Sequence, residues 1–403
     1  MAWLFAREVV AIAAVAGMAG GCFAAQAAEK PAYSTGASDT EIRIGHTVAY
    51  SGPASAFGGI GRTYKGFFDM VNAAGGVHGR KITFISLDDG YSPPKTLEQT
   101  RKLVEDDNVL LIFGVNGTPT NTATQKYLNT KKVPQILLPT GASKFNDPKH
   151  FPWTMPFWPS YPLEQKVYVD HILKHKPDAK IGLLYANDDY GKDNLNGLRA
   201  ALQAHGKPGA LVSAQSYETS DPVVDSQVVN LKNAGADVFI IATTPKFGAQ
   251  AIRKAHEIGW RPQQYVTNTS SSVNHVLIPA GVEASTGVIT ASITKAPDDP
   301  KLANDPEVVA YLAFMRKWNP QENPYDGTGV VGYMAGSMML KVLERAGDNL
   351  TRENIMKVVS NLKGDRAPLL ENGLVVSTTP DNFDAFQTLK LKKFDGKMWV
   401  DLN

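Results

Sequence analysis

Cysteine is almost absent: 403 residues contain one, Cys22. A disulfide framework is therefore excluded, and so are thiolate zinc sites, which need several cysteines. An excess of one charge is missing too. Lys and Arg number 41, Asp and Glu 39, for a formal net charge of +2. With basic residues scattered, nothing marks a nucleic-acid or anionic-membrane partner. Long apolar runs are missing. Residues 9–21 form one apolar and small-residue stretch, too short to span a bilayer comfortably. Catalytic signatures are missing as well. There is no G-x-x-x-x-G-K-[ST] phosphate loop and no G-x-S-x-G elbow. Gly59-Ile60-Gly61 opens like a dinucleotide loop, but Tyr64 stands where the third glycine belongs. His46, His78, His150, His171, His175, His205, His256 and His275 are dispersed. Only His171 and His175 share helical i, i+4 spacing, without the glutamate of H-E-x-x-H, and they read as a solvated helix face. Asp88-Asp89-Gly90 reads as a turn, because no further carboxylates cluster nearby to complete a cation site. No cofactor or metal is expected, and no catalytic residues.

What is present is ordinary globular composition, 43% hydrophobic and 20% charged, over a length that suggests two to three domains. The apolar stretch at 9–21 follows Arg7 and ends before Ala25-Gln26-Ala27, which has the form of a signal-peptidase site. Residues 1–27 are thus expected to be a signal peptide, placing the mature chain in the periplasm. An alternative is a lipid anchor on Cys22, after Ala19-Gly20-Gly21. Cleavage after Ala27 leaves a mature chain without a thiol.

Beyond the leader, strands and helices alternate. Strands are predicted at 41–48, 81–87, 109–113 and 135–138, with helices at 61–74, 92–106 and 120–130 between them. This rhythm implies α/β architecture with a mainly parallel sheet covered on both faces. It pauses at 150–162, where Pro152, Pro156, Pro159 and Pro162 alternate with Trp153, Phe157, Trp158 and Tyr161. That stretch reads as a crossing between lobes. Strands then follow at 180–185, 210–216, 238–242 and 264–266. Helices alternate with them at 163–175, 192–205, 223–234 and 247–258. Further helices are predicted at 306–318, 329–346 and 352–361, and strand-like pieces at 384–393 and 398–402.

In doubly wound sheets ligands bind beyond the carboxyl ends of the strands. Three such loops, at 49–61, 114–120 and 139–143, are rich in glycine and hydroxyl residues, and two lead into helices. Their free N–H groups suit a carboxylate or another anion, with hydroxyls from Thr118 and Ser143. Taken singly, each also suits an ordinary helix cap. In the second unit Tyr190 would lie at the cleft mouth, with a ring to cover a ligand and a hydroxyl to bond it. Thr243-Thr244-Pro245 and the 267–272 loop offer further hydroxyls.

Ser51-Gly52-Pro53, Asn72-Ala73-Ala74-Gly75-Gly76-Val77-His78-Gly79-Arg80, Asp88-Asp89-Gly90, Pro139-Thr140-Gly141-Ala142 and Asp189-Tyr190-Gly191 carry a resemblance. The chain resembles the periplasmic branched-chain amino-acid-binding proteins, type I solute receptors of ABC transporters, over nearly all its mature length. The resemblance implies two doubly wound Rossmann-like lobes joined by a three-segment hinge, closing over ligand. Lobe one would span 41–159 plus 288–371, and lobe two 160–287 plus 372–403. It implies a monomer with a small-molecule ligand and a membrane permease as partner. It places Thr118, Thr140, Ala142 and Ser143 at the ligand carboxylate, with Asn116, Asn268 and Thr269 as further ligand-binding residues and Phe57 and Tyr190 as covering rings. Thr244 stands where a second-lobe aromatic is expected. Members that hold an α-amino group carry an acidic residue in the loop matching Asn268-Thr269-Ser270, and here that loop has none. An unpaired ammonium in a closed cleft would be costly. The expected ligand is therefore a carboxylate without an amine, or a neutral amide, and a ring-bearing body would suit the aromatic-rich stretch. The alternatives are an amino-acid ligand, a sensory receptor of the same fold, and an exported enzyme.

Overall fold

The computed structural model describes residues 31–402. The expected signal peptide, its cleavage site and Cys22 lie outside the described residues. Among the described residues no helix is long and apolar enough to cross a membrane.

Strands form where β-branched and aromatic residues run together. A short pair of β1 (Ala32–Tyr33) with a late two-residue strand fastens the start of the described chain. The first lobe is built on β2 (Glu41–Val48), β3 (Lys81–Asp88), β4 (Leu111–Phe113), β5 (Gln135–Leu138) and β6 (Thr154–Pro156). They make a five-stranded sheet in the order β3-β2-β4-β5-β6, parallel throughout. Parallel strands need helical crossovers, supplied by α1 (Gly58–Ala73), α2 (Pro93–Glu105) and α3 (Thr118–Lys131). Both faces are covered, so β4 and β5 are buried along their whole length.

The second lobe begins with α4 (Tyr161–His175) and β7 (Ile181–Ala186), followed by α5 (Asp189–Ala204), β8 (Leu211–Tyr217) and α6 (Asp225–Asn233). Then come β9 (Val238–Ala242), α7 (Pro245–Glu257), β10 (Gln263–Val266) and β11 (Ile289–Ser292). The chain returns to lobe one with α8 (Pro306–Trp318), α9 (Gly327–Ala346), β12 (Asn349–Leu350, the partner of β1) and α10 (Arg352–Val359). It ends in lobe two with β13 (Lys390–Phe394) and β14 (Trp399–Asp401). The second sheet has seven strands in the order β14-β13-β11-β10-β9-β7-β8, with β13 and β14 antiparallel at the edge.

Several boundaries differ from the sequence expectation. The stretch at 150–162 is not wholly a crossing: Thr154–Pro156 adds a fifth strand to the first sheet. The second crossing lies after Ser292, not before Val288, because β11 is hydrogen-bonded to β10 and β13. The third falls just before Lys390, not at 371/372. Thr378 N–H bonds to Leu362 O (2.9 Å) and Phe383 N–H to Asn146 Oδ1 (2.7 Å), which keeps 372–386 on lobe one. The strand expected from 384 therefore starts only at Lys390. The second crossing pairs with a lobe-one segment, through Lys295 N–H to Leu369 O and Glu371 N–H to Ile293 O, both 2.8 Å.

Candidate ligand-binding cleft

Each of β2 to β6 is followed by a segment with residues at the cleft: Phe57, Tyr91, Asn116, Pro139 and Trp158 in turn. The first loop is pinned by the second: the Asp88 carboxylate accepts the N–H of Tyr50 (2.9 Å), the N–H (3.2 Å) and Oγ–H (2.6 Å) of Ser51, and the N–H of Gly90 (3.1 Å). Burial would raise its pKa, but Ser51, Lys95 and these N–H groups hold it well below the carboxylate range. Ser51-Gly52-Pro53 and Asp88-Asp89-Gly90 are thus two halves of one knot. Asn72 likewise braces Ile82 through its side chain (2.8 Å to both N and O), and Arg80 reaches Asp348 at 2.7 Å. These sequence marks build the lobe and leave ligand contact to other residues.

Between the lobes lies a cleft of about 1250 Å³, counted out to its open mouth. Phe57, Asn116, Thr118, Tyr190, Asn268 and Thr269 all line it. Thr118 opens α3, directly after Gly117, whose φ of 101° only glycine adopts readily. Its Oγ1 lies 2.8 Å from Thr140 Oγ1 and 3.3 Å from the Tyr161 hydroxyl, which is 3.0 Å from Thr140. Burial pushes the Tyr161 phenol up to about 12, so it stays a neutral donor. The Asn116 side-chain oxygen is buried and has no hydrogen-bond partner among the described residues. An unpaired buried acceptor of this kind calls for a donor. Phe57 and Tyr91 make one aromatic wall (centroids 6.1 Å apart), and Tyr161 and Tyr190 an edge-to-face pair (5.0 Å). The Tyr190 hydroxyl is fixed by Thr267 Oγ1 at 2.8 Å.

The structure does not bring the other expected residues to the cleft wall. Thr140 stands one layer back and orients Thr118. Ala142 is packed in an apolar cluster that joins this lobe-one loop to lobe two. Ser143 is exposed and bonds to Asp193 instead (Oγ to Oδ1, 2.6 Å). Thr244 precedes α7, and its N–H bonds to the Tyr217 hydroxyl (2.9 Å) behind the cleft. Pro139 and Pro245, beside Thr140 and Thr244, line the cleft instead.

Sequence reasoning missed several lining residues: Tyr91, Ser272, His275, Asp298 and Asp326. Asp326 is the most consequential. It caps α9, its Oδ1 accepting Thr328 N–H (2.9 Å) and Oγ–H (3.0 Å). Its Oδ2 reaches across to Ser272 Oγ (3.2 Å) and His275 Nε2 (3.1 Å). An aspartate just before a glycine and threonine at a helix start was a readable cap signal. Its position opposite His275 was not readable. The 268–270 turn carries no acid, yet Glu164 stands behind it and accepts the Asn268 N–H at 2.6 Å. The cleft is therefore not free of carboxylates, as the loop alone implied. No group of three or more His, Cys, Asp or Glu suited to a metal ion occurs among the described residues.

The profile of the periplasmic binding protein family matches residues 41–383. The chain belongs to that family. The Leu/Ile/Val-binding protein homolog 7 of Brucella suis is 24% identical over 323 residues, covering 76% of this chain and 77% of the relative. A branched-chain amino acid ABC transporter protein of Thermus thermophilus, solved with bound valine, superposes with a TM-score of 0.81 at 16% identity, over 90% of this chain and 96% of that one. A fatty acid ABC transporter substrate-binding protein of Thermomonospora curvata gives 0.80 at 21% identity, over 92% and 94%. At such identities these likenesses concern the type I periplasmic binding fold and leave the ligand open.

Proposed function

We propose that this family member is the periplasmic solute-binding component of an ABC importer, a monomeric carrier with no catalytic role of its own. Its ligand is a small carboxylate or amide without an α-amino group, carrying an apolar or aromatic body. The observation that carries this reading is the cleft itself. Lobe one offers the Thr118 hydroxyl, set by Thr140 and Tyr161, as a donor to an acid or amide oxygen, and the unpaired oxygen of Asn116 as an acceptor that an amide N–H would satisfy. Both lobes add aromatic walls. The acidic groups near Asn268 are already engaged: both Asp326 oxygens take donors, and the Asn268 N–H and the Tyr168 hydroxyl (2.7 Å) hold Glu164. Closure of lobe two over bound ligand would turn occupancy into a shape that the permease reads. Phe57, Asn116, Thr118, Tyr190, Asn268 and Thr269 are the proposed contacts.

A second reading, an amino-acid ligand, draws on the printed names of the relatives and on Asp298, a partly buried carboxylate in the cleft whose pKa burial raises. Thermal unfolding against aromatic acids, aliphatic acids, amides and amino acids separates the two. A ligand at a hundredfold its Kd should stabilise the fold by about 2.7 kcal/mol. The expected outcome is a shift with acids or amides that Thr118→Val largely abolishes. A shift with amino acids alone would favour the second reading.

A further inference from the structure

The opening turns of α5 place Asp189 and Asp193 four residues apart, on one face of the helix. That face meets the rim of lobe one. Ser143 donates both its N–H (2.9 Å, to Oδ2) and its Oγ–H (2.6 Å, to Oδ1) to Asp193. Lys144 Nζ lies 2.9 Å from Asp189 Oδ2, and that oxygen also accepts the Thr122 hydroxyl from α3 at 2.9 Å. Burial raises the Asp193 pKa, as expected of a carboxylate pressed between lobes. For Asp189 burial acts in the same direction, but Lys144 and Thr122 outweigh it and leave the pKa lowered. None of these five residues lines the cleft, although Tyr190, between the two aspartates in sequence, does.

We propose that Ser143, Lys144 and Thr122 on one lobe and Asp189 and Asp193 on the other form a rim clasp. These are positioning residues. They set how readily the lobes part, and so how tightly the cleft holds its occupant, without touching that occupant. The inference rests on the reading of the cleft as a site closed by lobe motion. Charge-assisted hydrogen bonds such as those to Asp193 are the stronger kind. The Lys144–Asp189 pair is 40% and 41% exposed at its two ends, so its share is modest and sensitive to salt. One clasp residue lies beside Tyr190 on α5 and two lie just after the 139–142 loop. Closure and the cleft walls thus share the same short elements.

The test uses the mature chain and needs no ligand. Residues 31–402 contain no cysteine, so Lys126→Cys on α3 and Arg199→Cys on α5 can carry a pair of spin labels across the rim. Pulsed electron resonance then reads the distribution of lobe separations. Asp193→Ala and Lys144→Glu, each judged folded by its melting curve, should raise the population of long separations, roughly two- to five-fold for the half-exposed Lys144 pair. Lys144→Arg, which keeps the charge, should return the parent distribution. Distributions for Asp193→Ala and Lys144→Glu that coincide with the parent would overturn the clasp, whether the shared distribution is narrow or wide. Lys144 is exposed, so a folding failure of Asp193→Ala would leave the Lys144→Glu comparison to decide. A negative result here leaves the ligand reading intact, and a failed ligand panel leaves the clasp standing.

Discussion

At the scale of single residues, neighbours in sequence divide the work. Thr118 faces the cleft while Thr140 backs it, and Tyr190 covers the cleft while Asp189 grips the opposite rim. Residue type announced that these loops matter, since hydroxyls and small residues beyond parallel strands are what an anion cradle needs. It did not announce which residue on a loop turns inward. Thr140, Ser143 and Thr244 were equally plausible by chemistry and point elsewhere. Asp326 was invisible for another reason: its cleft partner, His275, is distant in sequence and meets it only when the lobes meet. Glu164 was missed outright. It is 3% exposed, and burial pushes its pKa up to about 7, more than its bonds to Asn268 N–H and the Tyr168 hydroxyl lower it. Unfolded, the same carboxyl ionises near 4.5. Below that pH both states hold the proton and the native contribution is complete. As pH rises toward 7 the unfolded chain loses its proton first, so stability falls, and the loss is complete above the folded value. It should approach roughly 3 kcal/mol, at 1.36 kcal/mol per pKa unit. Urea unfolding at pH 5 and pH 8 should show wild type weaker at pH 8. Glu164→Gln should remove most of that difference, and an unchanged difference would place the titration elsewhere.

At the scale of elements, the alternation of strands and helices was legible because buried parallel strands read as short apolar runs and their helices as longer amphipathic ones. Ends were less legible. Residues 384–389 carry strand-like composition but join no sheet, and Phe386 packs on Phe157 of lobe one (centroids 5.3 Å apart). Pro156 disguised β6, which is tolerable because that strand is at the edge of its sheet. The turn between β7 and α5 shows how tightly these junctions are specified. Asp188 caps the helix by accepting the Gly191 N–H at 3.0 Å, and a Cβ on Gly191 would lie 2.0 Å from the carbonyl oxygen of Ala186. Gly191→Ala should therefore cost about 1–3 kcal/mol in urea unfolding, the range for overpacked sites. Gly209→Ala meets nothing within 4 Å and should stay within about 0.5 kcal/mol of wild type. Equal effects of the two substitutions would contradict this account of the turn.

At the scale of the whole molecule, the resemblance read from a handful of motifs and the family match agree on the type I periplasmic binding fold. The lobes were legible; the hinge was not, since its crossings are defined by where strands pair. The hinge carries its own charges. Lys295 is 2.7 Å from Asp305 and 2.9 Å from Glu307, and Glu307 lies 3.0 Å from Arg366. Those pairs hold the crossing segment after Ser292, and Lys295 also lines the cleft. The central proposal is chemical: this cleft prefers an acid or amide to its α-amino counterpart. Its most direct test is a calorimetric titration of the mature chain with two ligands that differ only in that group, such as 4-methylpentanoate and leucine, and phenylpropionate and phenylalanine as a second pair. Tighter binding of the amine-free member in a pair that binds is the predicted result. Tighter binding of leucine or phenylalanine would contradict it and would make Asp298 or Asp326 the ammonium partner.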